Sequence, residues 1–441
     1  MTELAAYEVV VVGAGPAGLA AAAAAGEVLD AGRVALLDDN PAPGGQIWRH
    51  GRAAPAPALA AASARVNAAG VALTTAVSVV DAHRLPAGDF LLLGDKAGAA
   101  WGCRAGKVVL ATGASELFLP FPGWTLPGVY GAGGLQALVK SGFELRGRRL
   151  LVAGSGPLLL AVAQAFRRHG GQVLAIAEQA PRQAVLRFAA RLPLYPRKWL
   201  QALGLGLELL PLRQLYSAWP LRAEGEGRLE RVVLSHGGRE EVFECDLLAC
   251  GFGLLPALPL PRLLGCVIAE KRVEVDELLQ TSVPGVYAAG ESLGIGGVVR
   301  AELDGTIAGL AAAGAAAAAR RYLPRRRREQ RFAADLAATY RLREELRELV
   351  HDSTLVCRCE DVSWGEIRRC PAARDAKLKT RAGMGPCQGR VCGGALEFLT
   401  GWQSDAVRPP LFPVSGEVFA ELARLAASVL DPDHQQPSHP G

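Results

Sequence analysis

Apolar residues run without a break from Val9 to Val12, and a second unbroken run spans Val34–Leu37. Neither run alternates with polar positions, which is the pattern of strands buried on both faces of a parallel sheet. An Ala-rich stretch between them predicts a helix to about Ala31. The same order of strand, helix and strand recurs at Leu150–Ala153, Leu158–His169 and Val173–Ala177. Residues 71–93 instead alternate apolar and polar, as half-exposed antiparallel strands do. Lys107–Leu110 reads as another buried strand, and Cys245–Gly251 as the return strand that closes the second unit. Strands spaced by helices in this way build an α/β fold of two doubly wound, Rossmann-like units. From Pro324 a basic linker leads into a charged helix, about Glu329–Val350.

The turns after the strands carry chemistry. Gly13, Gly15 and Gly18, with Ala14, Pro16 and Ala17 between them, have G-x-G-x-x-G spacing. Gly13 permits the tight turn, Gly15 lets backbone approach a pyrophosphate, and Gly18 lets helix and strand pack closely. Asp38 stands 20 positions after Gly18, where a carboxylate should accept from a ribose diol. In the second unit Gly154 and Gly156 keep the turn, but Leu159 occupies the third glycine position and should push the helix off its strand. NAD or another adenine nucleotide is one reading there, and a vestigial domain is the other. If a nucleotide binds, Glu178 should repel a 2′-phosphate and favour NAD over NADP.

Three further stretches point to the same cofactor class as the first turn. Pro43-Gly-Gly-Gln46 forms a tight loop in which Gly45 gives the turn and Gln46 an amide for a flavin ring or pyrophosphate. Val77 is expected to offer backbone to an adenine. Ala111-Thr112-Gly113 resembles the element that crosses beneath FAD in two-dinucleotide-domain flavoproteins, and a proline-rich linker, Pro120–Gly128, follows it. Val286-Tyr-Ala-Ala-Gly290-Glu291 resembles the ribityl- and pyrophosphate-binding element, with Glu where Asp is usual. Beyond it, Gly297 and a helix from about Val298 should aim a helix N-terminus at the flavin pyrimidine.

Composition narrows the class without changing this picture. At 441 residues, 50% hydrophobic and with 52 glycines, the chain is a multidomain α/β protein and not a disordered one. The net charge of +5 is modest, and its Arg325–Arg328 run reads as a solvated linker face instead of a nucleic-acid surface. The Ala-rich runs near 20–25 and 308–319 are too short to span a membrane. A strand begins within ten residues of Met1, so no secretory leader is expected. Nine cysteines, four clustered late, suggest a reducing compartment, and cytoplasm is the expected location.

Those four are Cys357 and Cys359, spaced C-x-C, then Cys387 and Cys392, spaced C-x4-C. Together they can close a tetrathiolate site. Structural zinc prefers C-x2-C pairs, which neither spacing provides, so 2Fe–2S is favoured over zinc or free thiols. Gly383, Gly385 and Gly389 would turn backbone N–H groups toward sulfide, while Arg358, Lys379, Arg381 and Arg390 would offset cluster charge. Cys370 has no partner and is not expected to be a ligand. Cys103, Cys245, Cys250 and Cys266 read as core residues.

The quoted stretches GAGPAG, PGGQ, ATG, PGWTLPGV, GSGPLLLAVAQ, VYAAGE and CRCED…TRAGMGPCQGRVCGG resemble the alpha subunits of heteromeric flavin-dependent amine and amino-acid dehydrogenases. Opine oxidase, hydroxyproline dehydrogenase and hydrogen cyanide synthase are of this kind. The last stretch is similar to bacterioferritin-associated-ferredoxin-like 2Fe–2S domains. The resemblance implies FAD, a 2Fe–2S cluster and onward electron transfer. It also implies a beta subunit resembling D-amino-acid oxidase that reads the amino-acid or opine substrate, with room for a small ferredoxin-like gamma subunit. Neither nucleic acid nor an integral membrane segment is implied, although an electron acceptor could bring the chain to the inner face of the membrane. The expected domains are a discontinuous FAD domain, 1–122 and 257–322, with a nucleotide domain inserted at 123–256. A linker and helix (323–350), a 2Fe–2S domain (351–402) and a proline arm with short helix and tail (403–441) follow. The rival readings are a stand-alone NADH-dependent reductase that charges its own cluster, and a non-catalytic relay subunit.

Overall fold

A computed structural model describes residues 4–49, 55–403 and 407–430. The expected tail, 431–441, lies outside them. The first unit opens with β1 (Ala5–Val12), α1 (Pro16–Gly26), β2 (Val34–Leu37), α2 (Pro57–Ala68) and β3 (Ala72–Thr74). An antiparallel meander follows, β4 (Val77–Arg84), β5 (Phe90–Lys96) and β6 (Ala99–Leu110), and a crossing strand β7 (Ala114–Glu116) leaves the unit. The sheet order is β3-β2-β1-β6-β5-β4, with a late strand also on β6. Of the residues expected to alternate as antiparallel strands, β3 proves parallel to β2, and only β4 and β5 are antiparallel.

The inserted unit comprises β8 (Val129–Gly131), α3 (Ala132–Lys140), β9 (Arg149–Gly154), α4 (Leu158–Arg168), β10 (Gln172–Glu178), α5 (Arg182–Arg191), α6 (Pro196–Leu209) and β11 (Arg213–Tyr216). A three-stranded antiparallel sheet, β12 (Ala218–Glu224), β13 (Arg231–His236) and β14 (Arg239–Glu244), precedes β15 (Leu247–Gly251), and β16 (Leu254–Pro256) returns to the first unit. Its main sheet is parallel, in the order β11-β10-β9-β15-β8. β16 pairs antiparallel with β7, so the two crossings form one ribbon. Leu117, Leu119, Phe121 and Trp124 already belong to the inserted unit's core. The outgoing crossing therefore lies at β7, ahead of the expected boundary at residue 122.

The first unit is completed by α7 (Pro259–Leu263), the hairpin β17 (Ile268–Ala269) and β18 (Arg272–Val273), β19 (Val286–Ala288), α8 (Val298–Ala312) and α9 (Ala316–Arg320). α1 is buried on nearly every side, because α8 lies against it. A Cβ on Gly305 would come within 2.0 Å of the Ala17 carbonyl, and one on Gly309 within 2.1 Å of that of Ala21. Two small-residue helices thus approach backbone to backbone, and the two Ala-rich runs are core.

The basic run is not a linker. Pro324 sits in the first turn of α10 (Leu323–Thr339), where its missing N–H costs nothing. Arg326 is buried and donates from Nε to the fully buried Asp304 of α8 at 2.6 Å. The helix also stops short of Val350: a break at 340–343 leads to a 3-10 turn, Glu344–Leu349. The cysteine module then packs β20 (Leu355–Cys357), β21 (Val362–Ser363), α11 (Trp364–Ile367), α12 (Ala373–Thr380) and α13 (Cys392–Thr400) around a small core. The expected short terminal helix is α14 (Gly416–Leu430), whose Val418 and Leu422 cover Val80, Leu91 and Leu93 of the meander.

Candidate functional site

Three segments separated by nearly three hundred residues meet at the carboxyl ends of the first parallel strands. Gly13 turns the chain out of β1 at φ +106°, and its N–H donates to the Leu37 carbonyl at 2.7 Å. A Cβ on Gly18 would lie 1.6 Å from the Gly13 carbonyl oxygen, so Gly18 is required by the fold itself. The Ala111 N–H donates to Val12, and the Ala289 N–H to Leu110, both at 2.9 Å, so β6 carries one turn to β1 and the other to β19. Gly290 approaches α1 closely enough that its Cβ would meet the Ala17 methyl at 2.8 Å. The Gly44 N–H donates to Ala14 at 2.8 Å, and Gly45 lies against Gly15. Gly15 itself is different. It caps α1, with Pro16 opening the helix, and the nearest atom to a Cβ there is 3.9 Å away. The chain leaves open space over a helix N-terminus and does not fill it, which is a cradle for a phosphate group.

The side chains around the cradle are held by backbone. Asp38 is buried, and its carboxylate accepts from the Ala14 N–H and from the N–H and side-chain amide of Asn40, the last two at 2.8 Å. A carboxylate offers about four acceptor positions, so about one remains for a ribose hydroxyl. Val77 spends its N–H on the Asp38 carbonyl at 2.9 Å, so that donor is not free for an adenine. Gln46 is exposed beside the glycine loop. Thr112 donates its hydroxyl to the Ala257 carbonyl at 2.9 Å, and the Ala257 N–H donates back to Gly113 at 3.0 Å, which clamps the two crossings together.

Glu291 departs from expectation. Its longer side chain turns back on α8, accepting the N–H groups of Gly296 and Gly297 at 3.0 Å each. The Gly297 donor expected to face a flavin is therefore taken, and a carboxylate now sits on the dipole end that was to stabilise an anionic ring; Val298 begins the helix behind it. Burial pushes the Glu291 carboxyl up, and the two amides oppose this. Arg300, which no sequence pattern singled out, is buried next to it and donates to the Leu293 and Gly294 carbonyls at 2.9 and 3.0 Å.

The second turn is built alike and used differently. The Glu178 carboxylate accepts from the Gly156 N–H at 2.7 Å and the Ala180 N–H at 2.8 Å, while burial pushes it up to about 7. Leu159 does not spoil the packing. It is fully buried in the unit's core, and α4 begins one residue later after its second glycine than α1 does. Over the turn lies the break after α10. The Ser155 hydroxyl donates to the Tyr340 carbonyl at 3.0 Å, Gln179 donates to the Arg341 carbonyl at 3.2 Å, and the Tyr340 ring stands 4.0 Å from the Cβ position of Gly156. A nucleotide phosphate on Gly154–Gly156 would have to displace this strap.

In the cysteine module Cys357 and Cys392 are buried, Cys387 is half-buried and Cys359 exposed. The four thiols feel one another electrostatically, Cys359 through Cys387 and Cys357, and Cys392 through Cys357 and Cys387. The Gly383 N–H points at the Cys357 sulfur at 3.5 Å, and a Cβ on Gly385 would strike Cys359 at 2.4 Å. Among the described residues no group of three or more His, Cys, Asp or Glu side chains converges on one metal position. The cations expected to face the thiols are committed elsewhere. Arg358 lies over Trp124, Arg390 over Phe412, Arg381 pairs with Glu360 and Lys379 with Asp375. Cys370 points its thiol at the Glu366 carbonyl, and the other four cysteines are buried thiols. The module is seated on the crossing ribbon. Gly394 of α13 abuts Leu255 and Leu117, and the Trp124 indole donates to the Leu355 carbonyl at 2.6 Å. Trp124 was visible only as part of a proline-rich linker.

The fold has counterparts among known proteins. Residues 7–317 match the model of the pyridine nucleotide-disulphide oxidoreductase family. An opine oxidase subunit from Rhizobium meliloti strain 1021 is 33% identical, over 93% of this chain and 98% of that one. The hydrogen cyanide synthase subunit HcnB of Pseudomonas aeruginosa is also 33% identical, over 72% of this chain and 76% of its own. L-proline dehydrogenase from P. horikoshii has a similar fold, with a TM-score of 0.69 at 21% identity over 95% of this chain and 80% of that one.

Proposed function

The chain belongs to the pyridine nucleotide-disulphide oxidoreductase family and is an FAD-dependent oxidoreductase, and from that premise we infer that it is the electron-transferring flavoprotein subunit of a heteromeric amino-acid or opine dehydrogenase. The observation that carries this reading is the seat of the cysteine module on the β7–β16 ribbon, directly beyond the Ala111–Gly113 turn. FAD held here would supply two-electron chemistry, and a 2Fe–2S centre would supply single-electron transfer onward.

Gly15 and the α1 N-terminus would hold the FAD pyrophosphate, Asp38 a ribose hydroxyl, and Ala111–Gly113 with Gly290 the neighbouring backbone. Cys357, Cys359, Cys387 and Cys392 would hold the cluster. Neither C-x-C nor C-x4-C is the C-x2-C spacing that structural zinc prefers, which supports 2Fe–2S over zinc. Relatives named as subunits support a partner chain, for which a beta subunit resembling D-amino-acid oxidase, with or without a small ferredoxin-like gamma subunit, is the proposal. What speaks against the stand-alone NADH-dependent reading is Tyr340, whose carbonyl takes the Ser155 hydroxyl of the second glycine turn. Among the described residues no helix is long and apolar enough to cross a membrane.

The test is iron and acid-labile sulfide analysis of the purified chain, with electron paramagnetic resonance after dithionite reduction. A 2Fe–2S signal is expected, and the Cys387→Ser/Cys392→Ser variant should lose it while keeping FAD. One zinc with no sulfide, or a full cluster in that variant, would overturn the assignment.

A further inference from the structure

A dense run of exposed large apolar residues lies far from the flavin elements in sequence, on the excursion between β10 and β11. α6 is apolar on two sides. Leu205 and Leu209 turn in to the core of the inserted unit. Leu200, Leu203, Leu207 and Leu210 recur at three- and four-residue spacing on the opposite side, 64%, 45%, 68% and 70% exposed. Trp199 stands beside them, also exposed, and nothing lies within 4 Å of the Cβ positions of Gly204 and Gly206.

The charge around this face is predominantly positive. Between Glu178 and Glu208 the chain carries five cations and no acid. α10 packs on the same excursion, with Phe332 against Phe188 at 5.8 Å and Arg328 donating to the Leu194 carbonyl at 2.9 Å. It adds five arginines and only Glu329 and Asp335. These two segments together hold a net +8 against +5 for the whole chain, so the remaining residues are net negative. Arg182, Arg187 and Arg197 are exposed.

We propose that α5, α6 and the basic edge of α10 seat this protein on an anionic phospholipid bilayer. The α6 leucines would enter the boundary between headgroups and acyl chains, Trp199 would lie at headgroup level, and the arginines would meet lipid phosphates. A Leu/Trp stripe bordered by an excess of Arg and Lys, of which Arg191 and Lys198 are paired with Asp335 and Glu329, is the composition that holds a helix in that plane. A second copy of the chain is a poorer occupant, because a two-fold contact would set this net positive face against itself. The inference rests on the surface alone and stands whether or not the cluster reading does.

The purified full chain is mixed with vesicles of phosphatidylcholine alone or with added phosphatidylglycerol, and sedimented. Binding is expected only with phosphatidylglycerol and should weaken as salt rises. Leu200→Glu/Leu207→Glu and, separately, Arg187→Glu/Arg197→Glu should each lower the bound fraction about tenfold or more at matched lipid. Val242→Glu, on exposed β14, should bind as the parent does. Unchanged melting temperature and flavin content show that the variants fold. Three results would overturn the proposal: no binding to either vesicle, undiminished binding by the leucine pair, or a leucine pair that only dissociates a dimer or a partner subunit.

Discussion

Replacing Gly15 by alanine separates the cofactor's need for glycine from the fold's. The Cβ would meet nothing closer than Gly45 Cα at 3.9 Å, and the residue sits at φ −75° and ψ −175°, which alanine adopts without strain. Losing glycine's freedom in the unfolded chain favours the variant by about 0.4–1 kcal/mol. Alanine is a poorer helix cap than glycine, by an amount of similar size. The two effects nearly cancel, so stability should change by less than about 1 kcal/mol. The new methyl group does fill the space through which a pyrophosphate would reach the backbone. FAD affinity should therefore fall by about 100-fold, or about 2.8 kcal/mol, and Gly15→Val should bind none. Gly18→Ala is the contrast, because a contact at 1.6 Å to backbone breaks the turn itself and should yield no soluble protein. The assay is thermal melting of flavin-stripped protein beside fluorescence titration with FAD. Unaltered FAD affinity in a well-folded Gly15→Val variant would refute the assignment of the cradle, and a large loss of stability in stripped Gly15→Ala would refute the claim that the space is empty.

The remaining predictions concern the other buried groups. Burial raises Glu178 from 4.5 to about 7, so its ionisation opposes folding: its full contribution is present below about pH 4.5 and is lost as pH rises through 7. The loss is at most about 3 kcal/mol, so the melting temperature should fall between pH 5 and 8 in the parent and much less in Glu178→Gln; equal slopes would sink the argument. Tyr340→Ala should open the second turn and strengthen NADH binding by calorimetry, with NADP remaining the weaker ligand; no gain for either nucleotide would show that the strap is not what closes the site. Asp304→Ala would leave Arg300 and Arg326 buried without their carboxylate and should cost about 3–5 kcal/mol in denaturant unfolding; a cost below about 1 kcal/mol would mean the pairing is incidental.

Much of the first unit was legible because its signals are local. Gly18 is dictated by the Gly13 carbonyl five residues before it, whereas the limit on Gly13 comes from Ala111 across the sheet, and an unbroken Val9–Val12 run reads as a strand covered on both faces. The spacing of Cys357, Cys359, Cys387 and Cys392 picked out thiols of one small module, but among the described residues no three of them converge on a metal position. What the sequence could not settle is where a polar group finds its partner once distant segments meet. Asp38 and Glu178 both stand at strand ends and both fold back on their glycine turns. Only the second turn is covered by Tyr340, 184 positions from Gly156 in the chain. Glu291 reads as a cofactor ligand until α8 presents two amides within reach of its extra methylene. The Arg325–Arg328 run reads as a solvated linker until Asp304 draws Arg326 inside. Arg358 and Arg390, charges beside thiols in the sequence, end over the rings of Trp124 and Phe412. Periodicity and turn chemistry are set by neighbours along the chain. The pairing of buried charges is set by desolvation, which forces each to whatever counterpart the tertiary fold brings within about 3 Å.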